Sequence, residues 1–204
     1  YHGFAVASSV LSVAPKAKLV IAKVLDDKGM GDPKRTAQGI RYCINKKCDI
    51  INCSIAGPMD NELEDAINEA YTKGVVVVSA TGNDGKNRLL YPASYLNCLS
   101  VGSINEALEI SLFSNYNVFM TMVAPGVDII FGINGEKIKD SGTSFSAPLV
   151  SGILALLKEK LKEELGRKPK YSELYGELIK NCVVINNIDR IKQGHGYLDF
   201  SAKG

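Results

Sequence analysis

A serine at the start of a long apolar stretch is the first residue in this chain whose surroundings suit chemistry. It is Ser144, in the segment DSGTSFSAPLVSG (residues 140–152), where Gly142 leaves space beside the backbone. The residues from Leu149 to Leu157 are apolar or small, which predicts a buried helix. A helix N-terminus has free N–H groups and a positive dipole end, and both stabilise a nearby negative charge. Ser144 is therefore either a plain helix cap or a nucleophile whose oxyanion forms at the helix start.

A serine nucleophile requires a base, and the chain contains two histidines, His2 and His195. His195 lies in the turn-like segment GHGYLDF and is interpreted as a surface or packing residue. His2 is followed by a glycine and by small residues that predict a short helix. Other chemistries lack their motifs: G-x-S-x-G, a Walker A loop and H-E-x-x-H are all absent from the sequence. His2 and Ser144 are thus a base and a nucleophile at opposite ends of the chain.

The elements that must bring these ends together alternate along the chain. Apolar runs predict strands at Leu19–Leu25, Ile50–Ile55, Val75–Ser79, Cys98–Ile104 and Met120–Ala124. Helices are predicted at Pro33–Lys46, with Asp32 as N-cap, and at Asp60–Lys73, which Gly74 ends. Continuous apolar strands alternating with helices indicate an α/β fold, with a mostly parallel sheet covered by helices on both faces.

Glycine-rich turns follow four of the predicted strands. They read DDKGMGD, AGPMD, ATGNDG and APGVD. Ligand sites in parallel sheets lie beyond the carboxyl ends of the strands, and glycine lets a backbone approach a ligand closely. Asn83 lies in ATGNDG, directly after the strand Val75–Ser79, so it is expected at the edge of the site.

The composition fits one globular domain that spans residues 1–204. Hydrophobic residues make up 46% of the chain and the net charge is +2, so nothing requires a nucleic-acid partner. No apolar run reaches the roughly 18 residues of a membrane span, so no membrane partner is expected. The cysteines are Cys43, Cys48, Cys53, Cys98 and Cys182. Without C-x-x-C spacing or a nearby histidine they predict buried thiols rather than a zinc site, and they favour a reducing, cytoplasmic compartment.

Three segments resemble the characteristic boxes of the subtilisin-like serine protease family. HGFAVAS (residues 2–8) resembles its histidine box, SATGNDG (79–85) the segment around its oxyanion asparagine, and SGTSFSAPLVSG (141–152) its serine box. The spacers SVAPKAKLVIAKVL, DIINCSIAGP, LYPASY and VAPGVDI and the closing GHGYLDF follow in the family's order. The resemblance runs from His2 to about Phe200, so the chain is identified as a subtilase.

The resemblance implies a role for each matched residue. Ser144 is the expected nucleophile, and His2 the base that takes its proton and returns it to the leaving amine. Asn83 is expected to donate its side-chain amide to the oxyanion, together with the Ser144 backbone N–H. The implied reaction is endoproteolysis, so the expected partner is a peptide or protein substrate. No cofactor is expected.

The resemblance also implies where the substrate lies. It binds as an added strand between two segments of the chain. One edge is formed by Ser54, Ile55 and Ala56, and the other by Gly29, Met30 and Gly31. The pocket for the side chain before the scissile bond is lined by Ala80, Thr81, Gly82 and Leu90.

The chain departs from the family's pattern in three minor ways. Phe4, Ala5 and Ser8 replace Thr, His and Gly of the histidine box, while the catalytic histidine keeps its place. The stretch before Pro15 is too short for the family's calcium-binding loop, so no metal site is expected. Leu90 stands where well-known members have glycine at the floor of the pocket. Its side chain predicts a preference for small or slender residues over Phe and Tyr.

The family's catalytic aspartate has no counterpart in this sequence. It precedes the histidine, on the first strand of the sheet, whereas this chain starts one residue before His2. Asp140 belongs to the turn before the serine box and Asp199 to the tail, so neither is expected to replace it. Loss of that carboxylate costs a serine-protease triad about 10⁴ in turnover. A segment N-terminal to this chain, either a separate docked chain or the missing part of a fragment, is expected to supply the aspartate and its strand.

Two other functions remain open. One is an inactive module that binds a peptide or a partner chain, which the altered histidine box and the missing aspartate favour. The joint presence of His2, Asn83 and Ser144 disfavours it, since a pure binder does not need all three. The other is a peptidase or ligase specialised for one precursor peptide, which the narrow pocket favours.

Overall fold

The structure is a computed structural model, and it describes residues 1–133 and 136–200 of the chain. The helices of this part are α1 (His2–Val13), α2 (Pro33–Asn45), α3 (Asn61–Thr72), α4 (Thr143–Leu165), α5 (Tyr171–Lys180) and α6 (Arg190–Gln193). The strands are β1 (Ile50–Cys53), β2 (Val76–Ala80), β3 (Cys98–Ile104), β4 (Met122–Pro125), β5 (Ile129–Ile133), β6 (Glu136–Asp140), β7 (Cys182–Val183) and β8 (Tyr197–Leu198).

The central sheet consists of four parallel strands in the order β1–β2–β3–β4. All residues of β2 and β3 are buried, as expected for strands covered on both faces. The side chains of β2 alternate between two cores. Val77 packs with α2 and α3, whereas Val76 and Val78 pack beneath α4. The expected α/β fold, with helices on both faces of a mostly parallel sheet, is confirmed.

Helices α2 and α3 each begin after an aspartate N-cap, and Asp32, the cap of α2, is the predicted one. Asp32 accepts a hydrogen bond from the Arg35 backbone N–H, and Pro33 occupies the first turn, where its missing N–H costs least. Asp60 caps α3 by accepting from the N–H of Leu63. Each cap fixes the residue at which its helix begins.

The predicted strand at Leu19–Leu25 is wrong. In the described part of the chain its residues form no ladder with β1, which is an edge strand of the sheet. The segment still packs on the same helix as the sheet: Ala22 and Val24 lie against Gly39 of α2. Its apolar side chains therefore find a core, but its backbone lacks the neighbouring strand that would make it part of the sheet.

A hairpin that was not predicted precedes the serine box. Strands β5 and β6 pair antiparallel, with Ile129 opposite Asp140. The ring of Phe131 stacks on that of Phe145 at 5.7 Å, and both pack with Ala5 of α1. The hairpin thus covers the contact between α1 and the start of α4.

Helices α1 and α4 pack closely, which brings the two ends of the chain together. A Cβ on Gly152 of α4 would lie 2.8 Å from the Cβ of Val13 and 3.0 Å from the carbonyl oxygen of Val10. The absence of a side chain at Gly152 therefore allows the helices to approach. Within residues 1–133 and 136–200, every helix is too short or too polar to cross a lipid bilayer.

Candidate active site

Ser144 is the second residue of α4 and not its cap. The N-cap is Gly142, which has no side chain to accept a hydrogen bond from the first turn of the helix. Pro148, one turn further on, has no N–H to donate to the Ser144 carbonyl. That carbonyl instead accepts a hydrogen bond from the Ser54 hydroxyl at 2.8 Å. The first turn of α4 is thereby joined to the segment that follows β1, and the plain-cap interpretation of Ser144 is excluded.

The side chain of Asn83 caps α4 from the loop after β2. Its Oδ1 accepts from the backbone N–H of Thr143 at 2.9 Å and from the Thr143 hydroxyl at 2.9 Å. With the oxygen engaged twice, the amide nitrogen Nδ2 is the end of the side chain left to donate outward. The N–H of Ser144 also has no acceptor among the described residues. Two donors are therefore available beside the Ser144 hydroxyl.

Thr143 is a site residue to which the sequence interpretation gave no role. It is fully buried, and besides donating to Asn83 it accepts a hydrogen bond from the Gly82 N–H at 3.2 Å. Its hydroxyl thus connects the loop after β2 to the start of α4. Its position directly before the nucleophile in Gly-Thr-Ser was the available signal.

His2 begins α1 and lies next to α4, the helix that carries Ser144. Its ring is 6.3 Å from that of Phe145, the residue after Ser144. The Ser144 hydroxyl does not point to it but donates to the Ser54 carbonyl at 3.4 Å. Desolvation by the surrounding protein lowers the pKa of His2, and the charge of Asp140 acts in the opposite direction. The pair is therefore brought together without a hydrogen bond, and the imidazole is biased towards its neutral, proton-accepting form.

One cleft of about 530 Å³ opens beside Ser144. Of the predicted substrate-binding residues, it is lined by Ser54, Ile55, Ala56, Ala80, Gly82 and Leu90, together with Asn83 and Ser144. Thr81 is not among the lining residues, because it is 1% exposed and lies behind the wall of the cleft.

Leu90 narrows the cleft at Gly82. A Cβ on Gly82 would lie 2.7 Å from Leu90 Cδ1, so the leucine side chain rests directly on the glycine. The mouth of the cleft also carries an ion pair, between Arg88 and Asp84 at 3.1 Å. The sequence interpretation missed this pair, although both charges lie in the loop between Asn83 and Leu90.

The segment after β1 offers a free backbone edge to the cleft. In the described part of the chain, no backbone hydrogen bond engages Ile55 or Ala56. Gly57 instead pairs with Tyr91 through both its N–H and its carbonyl. An extended peptide can therefore add to residues 54–56 without displacing an existing ladder.

The other predicted edge, residues 29–31, does not line the cleft. It forms a tight loop in which Asp26 accepts from the Met30 N–H at 2.8 Å and donates its own N–H to the Met30 carbonyl at 2.7 Å. Gly29 has a positive φ of 76°, which this turn requires. Met30 is 66% exposed, so the loop presents an apolar side chain to solvent.

The residues that the structure describes hold no group of three or more His, Cys, Asp or Glu side chains arranged for a metal ion. The cysteines of this part are free, and burial raises the pKa of Cys43 to about 11 and that of Cys53 to about 12. These thiols are therefore protonated packing groups and not nucleophiles.

A sequence model of the subtilase family, peptidase S8, matches residues 2–196. The chain belongs to this family. The match covers both ends of the site, the histidine of α1 and the serine of α4.

Curated relatives are named as serine proteases. The chain is 40% identical over 201 residues to the major intracellular serine protease of Bacillus subtilis (strain 168), covering 95% of this chain and 63% of the relative. It is 39% identical over 202 residues to the intracellular serine protease of Paenibacillus polymyxa, covering 96% and 62%. The chain thus spans somewhat less than two thirds of the length of these relatives.

Solved structures share the fold. A lanthipeptide protease superposes with a TM-score of 0.87 at 24% identity, over 97% of this chain and 72% of the other. The prenylagaramide maturation protease PagA superposes with a TM-score of 0.78 at 32% identity, over 85% and 67%. The sheet, its flanking helices and the position of α4 are therefore those of a subtilisin-like fold.

Proposed function

We propose that this chain is the larger part of the catalytic domain of a serine endopeptidase, with Ser144 as nucleophile and His2 as general base. The observation that carries the proposal is the start of α4. There the Asn83 amide and the free Ser144 N–H flank the hydroxyl, and the contact between α1 and α4 holds an imidazole next to them. Such donors, fixed before the reaction begins, are what a tetrahedral oxyanion requires.

In the proposed reaction the substrate adds to the backbone of residues 54–56 and places its carbonyl beside Ser144. The hydroxyl turns from the Ser54 carbonyl towards His2, which accepts its proton as the oxygen attacks the carbonyl carbon. The negative charge on the former carbonyl oxygen is held by Asn83 Nδ2 and the Ser144 N–H. His2 then gives the proton to the amine that leaves, and water hydrolyses the acyl group by the same steps.

The carboxylate that steadies the imidazolium is proposed to come from a strand outside residues 1–204. Two backbones that have no ladder partner among the described residues support this: the outer edge of β1 and the extended segment 19–25. Both pack under α2. Ile51 and Cys53 do so from β1, and Ala22 does so from the extended segment. A strand inserted between them would complete the sheet and end near His2, at the carboxyl edge where the site lies.

The proposed substrate is an extended peptide with a small or slender residue before the scissile bond. Leu90 rests on Gly82 in the lining of the cleft and takes up room there. The similarity to a maturation protease supports a peptide or protein substrate. Specialisation for one precursor peptide is a narrower form of the same proposal, and it agrees with the restricted cleft.

The test is hydrolysis of an extended peptide with Ala before the scissile bond, using the full-length protein and product masses as readout. We expect cleavage at one peptide bond, and about 10⁴-fold or greater loss in the Ser144→Ala variant. A different result would identify an inactive binding module: the unaltered protein and Ser144→Ala bind the peptide equally well, and the unaltered protein does not cleave it.

A further inference from the structure

Helix α2 ends in a tight turn that begins and finishes with a cysteine. The N–H of Cys48 donates to the Cys43 carbonyl at 3.1 Å. Inside that ring, the N–H of Lys47 donates to the Ile44 carbonyl at 2.9 Å. Lys47 has a φ of 60°, in the left-handed region, although it carries a side chain. These two hydrogen bonds and the left-handed residue between them are the Schellman motif that ends many helices.

The Schellman motif brings the side chains of its two outer residues together. The residue after the left-handed one ordinarily makes an apolar contact with a residue of the last helical turn. In this chain those two positions are Cys48 and Cys43, and their thiols interact directly. The backbone of the turn therefore holds two sulfurs side by side, which is the arrangement that a disulfide bond requires.

The two thiols differ in their access to solvent. Cys48 is half-buried, whereas Cys43 is buried in the core between α2, α3 and the sheet. Cys53, which lies near Cys43 in the same core, is also buried, as is Cys98. Of these four thiols, Cys48 is therefore the one that a dissolved reagent can reach. Cys43 can react only through a partner that is already bound to Cys48.

At neutral pH both thiols are protonated packing groups. Burial raises the pKa of Cys48, and it raises that of Cys43 to about 11. Contact with Cys43 acts in the opposite direction on Cys48, so it favours the thiolate of the more exposed residue. Since thiol–disulfide exchange requires a thiolate, the pair is expected to react slowly near neutrality and faster at mildly alkaline pH.

We propose that Cys43 and Cys48 are an oxidative modification site, at which a small-molecule disulfide converts the two thiols into a bond that fixes the end of α2. The Cys48 thiolate attacks one sulfur of the small disulfide and releases the other half as a thiolate. The Cys43 thiolate then attacks Sγ of Cys48 and releases the second half. The protein gives up two electrons and two protons, which convert the small disulfide into two thiols. The site lies outside the proposed active site and does not depend on the proposed function.

The experiment treats the full-length protein with oxidised glutathione at mildly alkaline pH and then alkylates the remaining thiols. Ser144→Ala is used throughout, so that proteolytic activity does not enter the measurement. Trypsin cuts after Lys46 and Lys47, which lie between the two cysteines. The resulting peptides stay joined only through the new bond, so mass spectrometry identifies it directly. We expect the joined peptides, and their separation by dithiothreitol.

Two variants separate the roles of the thiols. Cys43→Ala should retain glutathione on Cys48, because the thiol that displaces it is gone. Cys182→Ala is the matched control: it removes another half-buried thiol and should form the Cys43–Cys48 bond as before. Glutathione that stays on Cys48 when Cys43 is present, or a Cys48 that does not react at all, overturns the proposal.

Thermal unfolding tests whether the native turn accommodates the bond. The oxidised protein is expected to unfold about 2–6 °C above the reduced one, because the closed ring restricts the unfolded chain. An unchanged or lower unfolding temperature contradicts the proposal that the bond fixes the end of α2, since a strained disulfide offsets this gain. Cys43→Ala, which cannot form the bond, should show no such rise after the same treatment.

Discussion

The candidate site depends on how single side chains divide their hydrogen bonds. The side-chain oxygen of Asn83 accepts two hydrogen bonds from Thr143, which leaves its nitrogen available for the proposed oxyanion. Without that clamp the amide could rotate, and its nitrogen would no longer be fixed where negative charge develops. Catalysis by such a donor depends on its being held before the charge forms. We therefore propose that Thr143 is a positioning residue that acts through Asn83.

Replacing Thr143 with Val is expected to lower kcat about tenfold while changing KM little, because the clamp matters most when the oxyanion forms. Steady-state kinetics on one peptide substrate measures both values. Thr143→Ser keeps the hydroxyl and should retain most of the activity. Equal kinetics for the Val and Ser variants would show that the hydroxyl does not position Asn83.

Leu90 is expected to limit the residue before the scissile bond. Leu90→Gly removes the side chain that rests on Gly82 and should raise kcat/KM for a Phe peptide relative to an Ala peptide by about tenfold or more. Parallel assays on two peptides that differ only at this residue provide the measurement. The idea fails when the unaltered protein cleaves after Phe but not after Ala.

At the scale of elements, the contact between α1 and α4 sets the distance between base and nucleophile. Each helix carries one proposed catalytic residue at its N-terminus, and Gly152 lies in the contact between the helices. The apolar run of α4 and the small residues of α1 predicted two buried helices. Their sequences alone did not show that the two helices touch, since that contact joins positions more than a hundred residues apart.

Gly152→Ala is expected to lower the free energy of unfolding by about 1–3 kcal/mol, because the new methyl group would overlap Val13. It should also reduce kcat by moving His2. Gly176→Ala is the control: nothing lies within 4 Å of its added Cβ in α5, so it should be neutral or slightly stabilising. Urea denaturation of both variants compares them, and equal stabilities would remove the close contact as an explanation.

At the scale of the whole molecule, much of the fold could be predicted from the sequence. The apolar runs of β1 to β4 and the cap Asp32 are local signals, and the structure confirms them. The segment 19–25 has the same local signal but no strand beside it, so its prediction failed for a non-local reason. The hairpin β5–β6 was missed because its strands are short and partly polar.

Of the candidate site, motifs predicted which residues meet but not their hydrogen bonds. The cleft is lined by Ser54, Asn83, Leu90 and Ser144, as the resemblance implied, but not by Thr81 or residues 29–31. The two hydrogen bonds from Thr143 to Asn83 depend on side-chain directions in three dimensions. A sequence pattern does not carry those directions.

The proposed inserted strand makes a prediction for the assembled protein. In the full-length protein, the amides of residues 19–25 and 50–53 should exchange slowly with solvent deuterium. In residues 1–204 alone, the same amides should exchange at least several fold faster. Hydrogen-exchange mass spectrometry follows both, and β3, which is paired on both sides, serves as the protected control. Equal exchange of residues 19–25 in the two proteins would contradict the inserted strand.

The most direct test of the central claim is covalent labelling of the nucleophile in the full-length protein. A fluorophosphonate reacts with a serine only where a base and an oxyanion site activate it. We expect one adduct by intact mass, located on Ser144 by peptide mapping, and none in His2→Ala or Ser144→Ala. An adduct elsewhere, or no adduct in a protein that is folded, would contradict the assignment of Ser144 as an activated nucleophile.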